Sequence, residues 1–568
     1  MKLQTQDLFK WCLWVALALS ALAWWPLSSM SFTLPKLLVL HLALGVGCLL
    51  FLSSRFKSRV GFGARPLVLF LVFGYFLVNA LYTIGSAAPL SSLLGVSESA
   101  QGFLTQMIYL TVFLLALNLD KWERGLKVIF YTNVVVVVYA ILQAVGLDPL
   151  AIFWNSESFL GRSFSLLGHP DWLGVWLVLT FPLVCRPWRW ILILAQVVAV
   201  ILAGSKAAVL GAMIFFIGMA VLGQREKLKK NWGKIFVGMF LGVGLFIGFL
   251  MTLYPNSFLL FRSLEARKVM WENTWEMVKD QPQGYGLEMF TYEYPVHNTA
   301  ELWNYEAFGV TIEHPHNQLL ELWTAVGPWG AMLFYVLIAV IIVPHLRAGS
   351  SNQNHLLALG VGSFLFAQFF GFETVATSAL LWAFLGILAH KNTESVEERT
   401  YISSGVLKLI LVGLGVLNLV AFGLRWSQFE GESKWDRVKI LESSAAILEQ
   451  NILSQEDAKR VDGYLQNGEE FSGGRDAEVI LLQALLAAKQ GDEKLAESLY
   501  SLVKERNPAG PRTYFVGMKI FDALENKILK KEASADLRSL LPLFWDNPET
   551  EQGRIFQKNN PWVLEKNY

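Results

Sequence analysis

The sequence predicts an all-α protein: a polytopic membrane helix bundle followed by a soluble, helical C-terminal domain. Three observations carry this expectation. Of 568 residues 54 % are apolar and only 16 % charged, with a mean hydropathy of +0.42, whereas roughly a quarter of residues are charged in an ordinary soluble chain. Apolar runs of the length needed to cross a bilayer recur up to about residue 425. From Trp426 onward the chain becomes polar and amphipathic with helical spacing. The expected division is therefore a membrane body over 1–425 and a helical domain over 426–568. A net charge of +1 offers no basic face for a nucleic acid, so no nucleic-acid partner is expected; the lipid bilayer is.

In chain order, the apolar runs predict spans near 11–29, 35–53, 66–84, 102–118, 127–146, 171–185, 189–204, 206–223, 234–253, 319–344, 355–371, 374–390 and 404–424. Lys2 and Lys10 precede the first run as they would in a signal peptide, but no small-residue cleavage site follows and a second run begins at once, which predicts an uncleaved first span. Cys12, Cys48 and Cys185 lie in or beside apolar runs without metal or redox spacing and read as small buried hydrophobes.

Charge sets the orientation. Arg55, Lys57, Arg59 and Arg65, then Lys121, Arg124 and Lys127, then Arg186 and Arg189, then Arg225 to Lys234, Arg347, Lys391 and Arg399 all fall on alternate loops. The positive-inside rule puts these loops in the cytoplasm. A long loop over about 254–318 and the C-terminal domain then lie on the outer side. Few basic residues break the rule: Lys36, Arg162, Lys206, Arg262, Arg267, Lys268 and Lys279. Cations near bilayer depth are costly without an anionic partner, so this group predicts an anionic ligand at the outer face. A diphosphate fits, because a guanidinium offers paired donors to phosphate oxygens.

Four stretches on that face hold residues suited to chemistry. They are Gly161-Arg162-Ser163 through Gly168-His169-Pro170-Asp171, Gly204-Ser205-Lys206, Arg267 through Trp271 followed by Pro282-Gln283-Gly284-Tyr285-Gly286, and Glu313-His314-Pro315-His316-Asn317 leading to Glu321, Gly327 and Gly330. Fixed cations neutralise a leaving diphosphate without a metal. An imidazole near an acceptor hydroxyl serves as base. Each residue also has a plainer reading: His316 as an interfacial histidine, Arg267 as a solvated or lipid-facing charge, Arg162 and Lys206 as snorkelling cations, Asn317 as a helix cap. Glu321, one turn past His316, either orients it or accepts a structural hydrogen bond. Gly327 and Gly330 read as sites of close helix approach. Two other classes stay open. Glu313, His314 and His316 allow a metal-dependent hydrolase, although the spacing is poor, and Gly-interrupted runs near 204 and 371 allow a transporter.

The fourth stretch, His316-Asn317-x9-Gly327-x-x-Gly330, resembles a signature of the bacterial O-antigen ligase family. Arg267-x-x-x-Trp271 with the Pro282–Gly286 segment resembles another, and the Arg162 and Lys206 segments resemble two more, with lysine at 206 where the family usually has arginine. The motifs cover about 155–345. The resemblance implies a glycosyltransferase of the C type in the bacterial inner membrane with its cavity on the periplasmic face. Such an enzyme moves a glycan from an undecaprenyl-diphosphate carrier to an acceptor, with inversion and no metal or other cofactor. The acceptor is lipid A core in ligases, a repeat unit in polymerases and a protein hydroxyl in O-oligosaccharyltransferases. By the same resemblance His316 and Arg267 are catalytic, and Arg162, Lys206, Asn317 and Glu321 bind the diphosphate or substrate.

In the C-terminal domain, Ala488, Gly491, Asp492, Ala496, Tyr500 and Pro508 resemble one tetratricopeptide repeat. One repeat cannot bury its own face, so helices from 430–470 and 511–545 are expected to stack on it. This predicts either a docking surface for an acceptor or protein partner, or a helical cap.

Overall fold

The computed structural model describes residues 5–28, 30–55, 66–96, 100–119, 122–154, 159, 161–185, 189–223, 257–306, 310–346, 352–390, 404–430, 433–450 and 452–540. The span expected at 234–253 and most of the basic loops lie outside them. Regular structure among the described residues is helical throughout. The apolar part runs α1 (Thr5–Leu22), α2 (Leu34–Arg55), α3 (Pro66–Ile84), α4 (Pro89–Leu94), α5 (Phe103–Leu117), α6 (Glu123–Ala144), α7 (Pro170–Val184), α8 (Trp190–Ala203) and α9 (Lys206–Gly223). After α10 (Ser257–Asp280) and α11 (Phe290–His297) come α12 (Gln318–Leu346), α13 (Asn352–Gln368), α14 (Val375–Ala389) and α15 (Ser404–Phe429). Among the described residues, five helices are long and apolar enough to cross a membrane: α2, α3, α6, α12 and α15. The protein is a multi-pass membrane protein.

The shorter apolar helices α5, α7 and α14 are apolar on every face and almost wholly buried, which makes them interior pillars of the bundle. Trp382 of α14 sits among Tyr75, Phe76, Phe113 and Phe334, with ring centroids 5.0 to 6.4 Å away. Hydrogen bonds between side chains tie the outer helices on. Asn133 of α6 donates to Gln196 of α8 at 2.7 Å and accepts from Trp176 and Thr180 of α7. His41 of α2 meets Asn418 of α15, which donates to Thr111 of α5. In an apolar medium such pairs contribute about 0.6–2 kcal/mol each.

The stretch expected as a long loop is largely helical. The 24-residue α10 carries both charged and apolar residues, and its Ala266, Val269, Met270 and Met277 form a small core with Phe290, Tyr294 and Leu302. Apolar content alone hides such a helix from a search for spans.

The polar part contains α16 (Arg437–Leu448), α17 (Gln455–Ser472), α18 (Ala477–Lys489), α19 (Glu493–Arg506), α20 (Pro511–Ala523) and α21 (Lys527–Leu540). Asp436, Ser454, Asp476 and Asp492 cap four of them by accepting a backbone N–H of the first turn. Gly491 turns the chain between α18 and α19 at φ +80°. Val461, Leu465, Leu482, Ala484, Leu486, Val503 and Phe521 form a core separate from that of the membrane bundle. These helices sit on the bundle through an apolar cluster, in which Phe471 packs with Ala88, Leu94, Met289, Tyr292 and Ala421, and through polar contacts. Arg475 pairs with Glu293, Ser91 Oγ donates to the Phe471 carbonyl at 2.7 Å, and Trp303 donates to the Ala509 carbonyl.

Candidate functional site

The starts of α7, α9 and α12, the end of α8 and the connection between α13 and α14 meet at one face of the bundle, where α10 covers them. At this face Arg162, Lys206 and Arg267, from three distant segments, are close enough to repel one another electrostatically, and Asp171 offsets all three. Each of the four is half-buried. Arg162 is fixed on two sides: Nη2 bonds Asp171 Oδ1 at 3.0 Å and Nε donates to the Ala203 carbonyl at 2.9 Å. That carbonyl is free because α8 ends at Gly204, whose left-handed φ of +61° stops the helix. A Cβ at Gly204 would stand 3.1 Å from Arg162 Nε. Asp171 opens α7, and its N–H donates to His169 Nδ1 at 3.1 Å. Asp171 and His169 belong to the first motif, and the structure gives them partners there.

Lys36 has a different place. It is buried and donates to the Ala23 and Leu166 carbonyls at 2.6 and 2.8 Å. It therefore pins the segment that carries Arg162 and does not join the cation group. Nothing is described of the Arg262 side chain.

His316 completes the site. It adopts the left-handed region at φ +50°, a strained conformation for a residue with a Cβ. The turn is held from three directions. Trp271 Nε1 donates to the Pro315 carbonyl at 2.9 Å. Phe372 stacks on His314 at 4.1 Å and meets the His316 ring edge-on at 5.3 Å. Asn317 Oδ1 accepts the Leu319 and Leu320 N–H groups at 3.0 and 3.2 Å. Burial, then the positive charges of Arg267 and His314, push the His316 imidazole down to about 3, so it is neutral.

The structure gives Glu321 and Asn317 the contacts of their plainer readings. Glu321 does not reach His316; its Oε1 lies 3.2 Å from His314 Nδ1. Helical spacing brings Glu321 to the turn, but the left-handed bend at His316 presents His314 to it. Burial opposes the charged form of His314, but Glu321 wins and raises it to about 9. Asn317 is the α12 N-cap, so its carboxamide oxygen is committed to the backbone. Gly327 does more than permit close approach: at φ +68° it sits in a kink of α12, and a Cβ there would come 2.4 Å from the Gln283 carbonyl oxygen and 2.9 Å from the Tyr82 hydroxyl of α3. Tyr285 and Gly286 donate to the Thr324 and Ala325 carbonyls at 2.7 and 3.0 Å. The Pro282–Gly286 segment thus fills the break in α12, which is why two motifs 40 residues apart belong together. Gly330 does permit close approach, to Val78 of α3.

Sequence reasoning passed over Phe372 and Glu373, which arrive from the α13–α14 connection with no local motif. Glu373 is buried; that burial, followed by the nearby charge of Glu321, raises its carboxyl to about 7. As for a metal, no three His, Cys, Asp or Glu side chains among the described residues are grouped to hold one, and His314 is occupied by Glu321 and Phe372.

Residues 191–335 match the O-antigen ligase family. The chain carries an O-antigen ligase domain. The match begins in α8 and ends inside α12, and so contains Lys206, Arg267, His316 and Gly327, while Arg162 lies before it. The family comprises membrane enzymes of the glycosyltransferase kind. No curated protein sequence matches the chain.

Proposed function

We propose that this O-antigen ligase domain transfers a glycan from a polyprenyl-diphosphate carrier to an acceptor hydroxyl at the outer face of the bacterial inner membrane, with inversion and without a metal. One observation carries the reading: three cations from separate segments converge with a neutral histidine on one face of the bundle. Arg267, Arg162 and Lys206 hold the diphosphate. Lysine at 206 supplies a point charge in place of a fork. The acceptor oxygen attacks the anomeric carbon from the side opposite the diphosphate, and the bond from that carbon to the diphosphate oxygen breaks with its electron pair. The three cations neutralise the charge that develops there.

His316 orients the acceptor hydroxyl by accepting its proton in a hydrogen bond. An imidazole held at about 3 by burial and Arg267 is a weak base. Bound diphosphate offsets Arg267 and raises its basicity, which ties proton acceptance to donor binding. Glu321 and His314 hold the turn.

Among acceptors, lipid A core or a related surface glycan is the first reading. A polymerase, which uses another repeat unit, and a protein O-oligosaccharyltransferase use the same donor site. The helices beyond Arg437, tetratricopeptide-like in part of their sequence, are a docking surface for the acceptor or a protein partner. The test supplies purified protein with an undecaprenyl-diphosphate glycan and each acceptor class in turn, with chelator present. Product from wild type and a loss of at least about a hundredfold in His316→Ala are expected; equal turnover by the variant overturns the role of His316.

A further inference from the structure

Between the segment that leads to His316 and the polar helices lies an open cleft, whose free space counted out to bulk solvent is about 580 Å³. One wall comes from α11 and residues 310–312, the other from the starts of α16, α18 and α20 and the turn after α19. Thr291 and Asn298 stand in the first wall and are only 4 % and 9 % exposed. Buried polar groups normally have a partner. Asn298 Oδ1 accepts from Asn273 at 3.3 Å, but Asn298 Nδ2 and Thr291 Oγ1 have no partner among the described residues, and neither atom is sealed from solvent. The cleft is the space they face. Thr311 Oγ1 and the Asn507 carboxamide, from two further segments of the same walls, are unpartnered as well.

Charge in the cleft is already cancelled. Arg437 makes a two-pronged pair with Asp476 at 2.6 and 3.2 Å, and Arg512 reaches Glu478 at 2.9 Å. Among the described residues the walls hold no other charged side chain. A phosphate or a metal cation would have to break one of these pairs, so the unmet groups call for a neutral occupant. They are also of both kinds: the Asn298 amide donates, the two hydroxyls donate or accept, and the Asn507 carboxamide does both. A sugar hydroxyl, with one donor and two lone pairs, answers either kind. Val310, Ile312 and Pro511 add apolar surface for the C–H face of a sugar ring. Position ties the cleft to the transfer site. Its wall at 310–312 continues along the chain into the turn of His316, and the five residues from Thr311 to His316 span at most about 18 Å.

We propose that this cleft is a sugar subsite, holding a neutral unit of the glycan remote from the bond made at His316. The inference rests on the transfer reading above. It gives the polar helices a part in the reaction, as the second wall of the glycan site.

The full chain in detergent is titrated with two neutral probes that carry no diphosphate: O-chain oligosaccharide and dephosphorylated core oligosaccharide, both released from the lipopolysaccharide of the producing bacterium. A neutral serine-rich peptide is the third probe. Binding is read by saturation-transfer NMR and calorimetry. At least one oligosaccharide is expected to bind. Thr311→Val removes one exposed hydroxyl and should weaken it about three- to tenfold at an unchanged melting temperature. Asn298→Asp keeps Oδ1 for Asn273 but replaces the free donor with an acceptor, and should weaken it further. In transfer assays Thr311→Val should raise KM at constant kcat. The KM that rises is the donor's if the donor glycan fills the cleft, and the acceptor's if the acceptor does. No binding of either oligosaccharide, tighter binding of the peptide, or wild-type affinity in both variants would each overturn the subsite. Transfer with both KM values unchanged in both variants would sink the subsite and leave the transfer reading standing. Sugar binding that depends on Thr311 and Asn298, without any transfer, would do the reverse.

Discussion

Replacing Glu321 with Gln should change the pH dependence of stability in a defined direction. In the wild type, His314 Nδ1 and Glu321 Oε1 are 3.2 Å apart, and both side chains are largely buried. Burial alone disfavours the imidazolium; the carboxylate overcomes this and raises His314 from its ordinary 6.5 to about 9. A group whose folded pKa is raised contributes stability that is complete below its unfolded value and is lost as pH climbs through the folded one. The window is therefore about pH 6.5 to 9. At about 1.36 kcal/mol per unit, the pair contributes at most about 3 kcal/mol at the lower end. Gln keeps the shape and removes the charge, so His314 becomes neutral at pH 7. Scanning fluorimetry of the detergent-purified protein, which has 21 tryptophans as reporters, gives the apparent melting temperature at pH 6.5 and 9.5. Wild type should lose stability between them, while Glu321→Gln should start lower and stay nearly flat. A variant with the wild-type slope refutes the assignment of His314 as a charged partner of Glu321.

Two further outcomes follow from the geometry around His316. Gly327→Ala places a Cβ 2.4 Å from the Gln283 carbonyl at φ +68°, so it should destabilise by about 2 kcal/mol or more, seen as a lowered melting temperature with a comparable loss of activity. Trp271→Phe removes the 2.9 Å bond to Pro315 but keeps an aromatic ring; transfer should fall about tenfold with the melting temperature little changed.

Much of the membrane body is readable in the sequence, because burying apolar side chains in lipid or protein leaves long runs whose ends Pro and Gly mark: Pro66 opens α3 and Pro170 opens α7. The α10 helix is not readable that way, since its apolar residues are interspersed with charged ones and pack on Phe290, Tyr294 and Leu302. The cation group is legible because its members break the charge asymmetry of the loops. What a single sequence leaves hidden is pairing across distance. Glu321 is correctly placed on the turn of His316, but its partner depends on a positive φ at residue 316. Phe372 and Glu373 reach the site only through the packing of α13 and α14. Asn317 shows how a motif residue serves folding: its oxygen closes the first turn of α12 so that His316 stands just outside it.

If the cations of this face hold a diphosphate, removing one of them weakens donor binding. Undecaprenyl diphosphate without a glycan is titrated into wild type and Arg267→Gln at fixed salt. Loss of a charge-assisted phosphate contact should weaken binding roughly tenfold to a hundredfold, with wild-type affinity itself falling as salt rises. Unchanged affinity in Arg267→Gln would contradict the account.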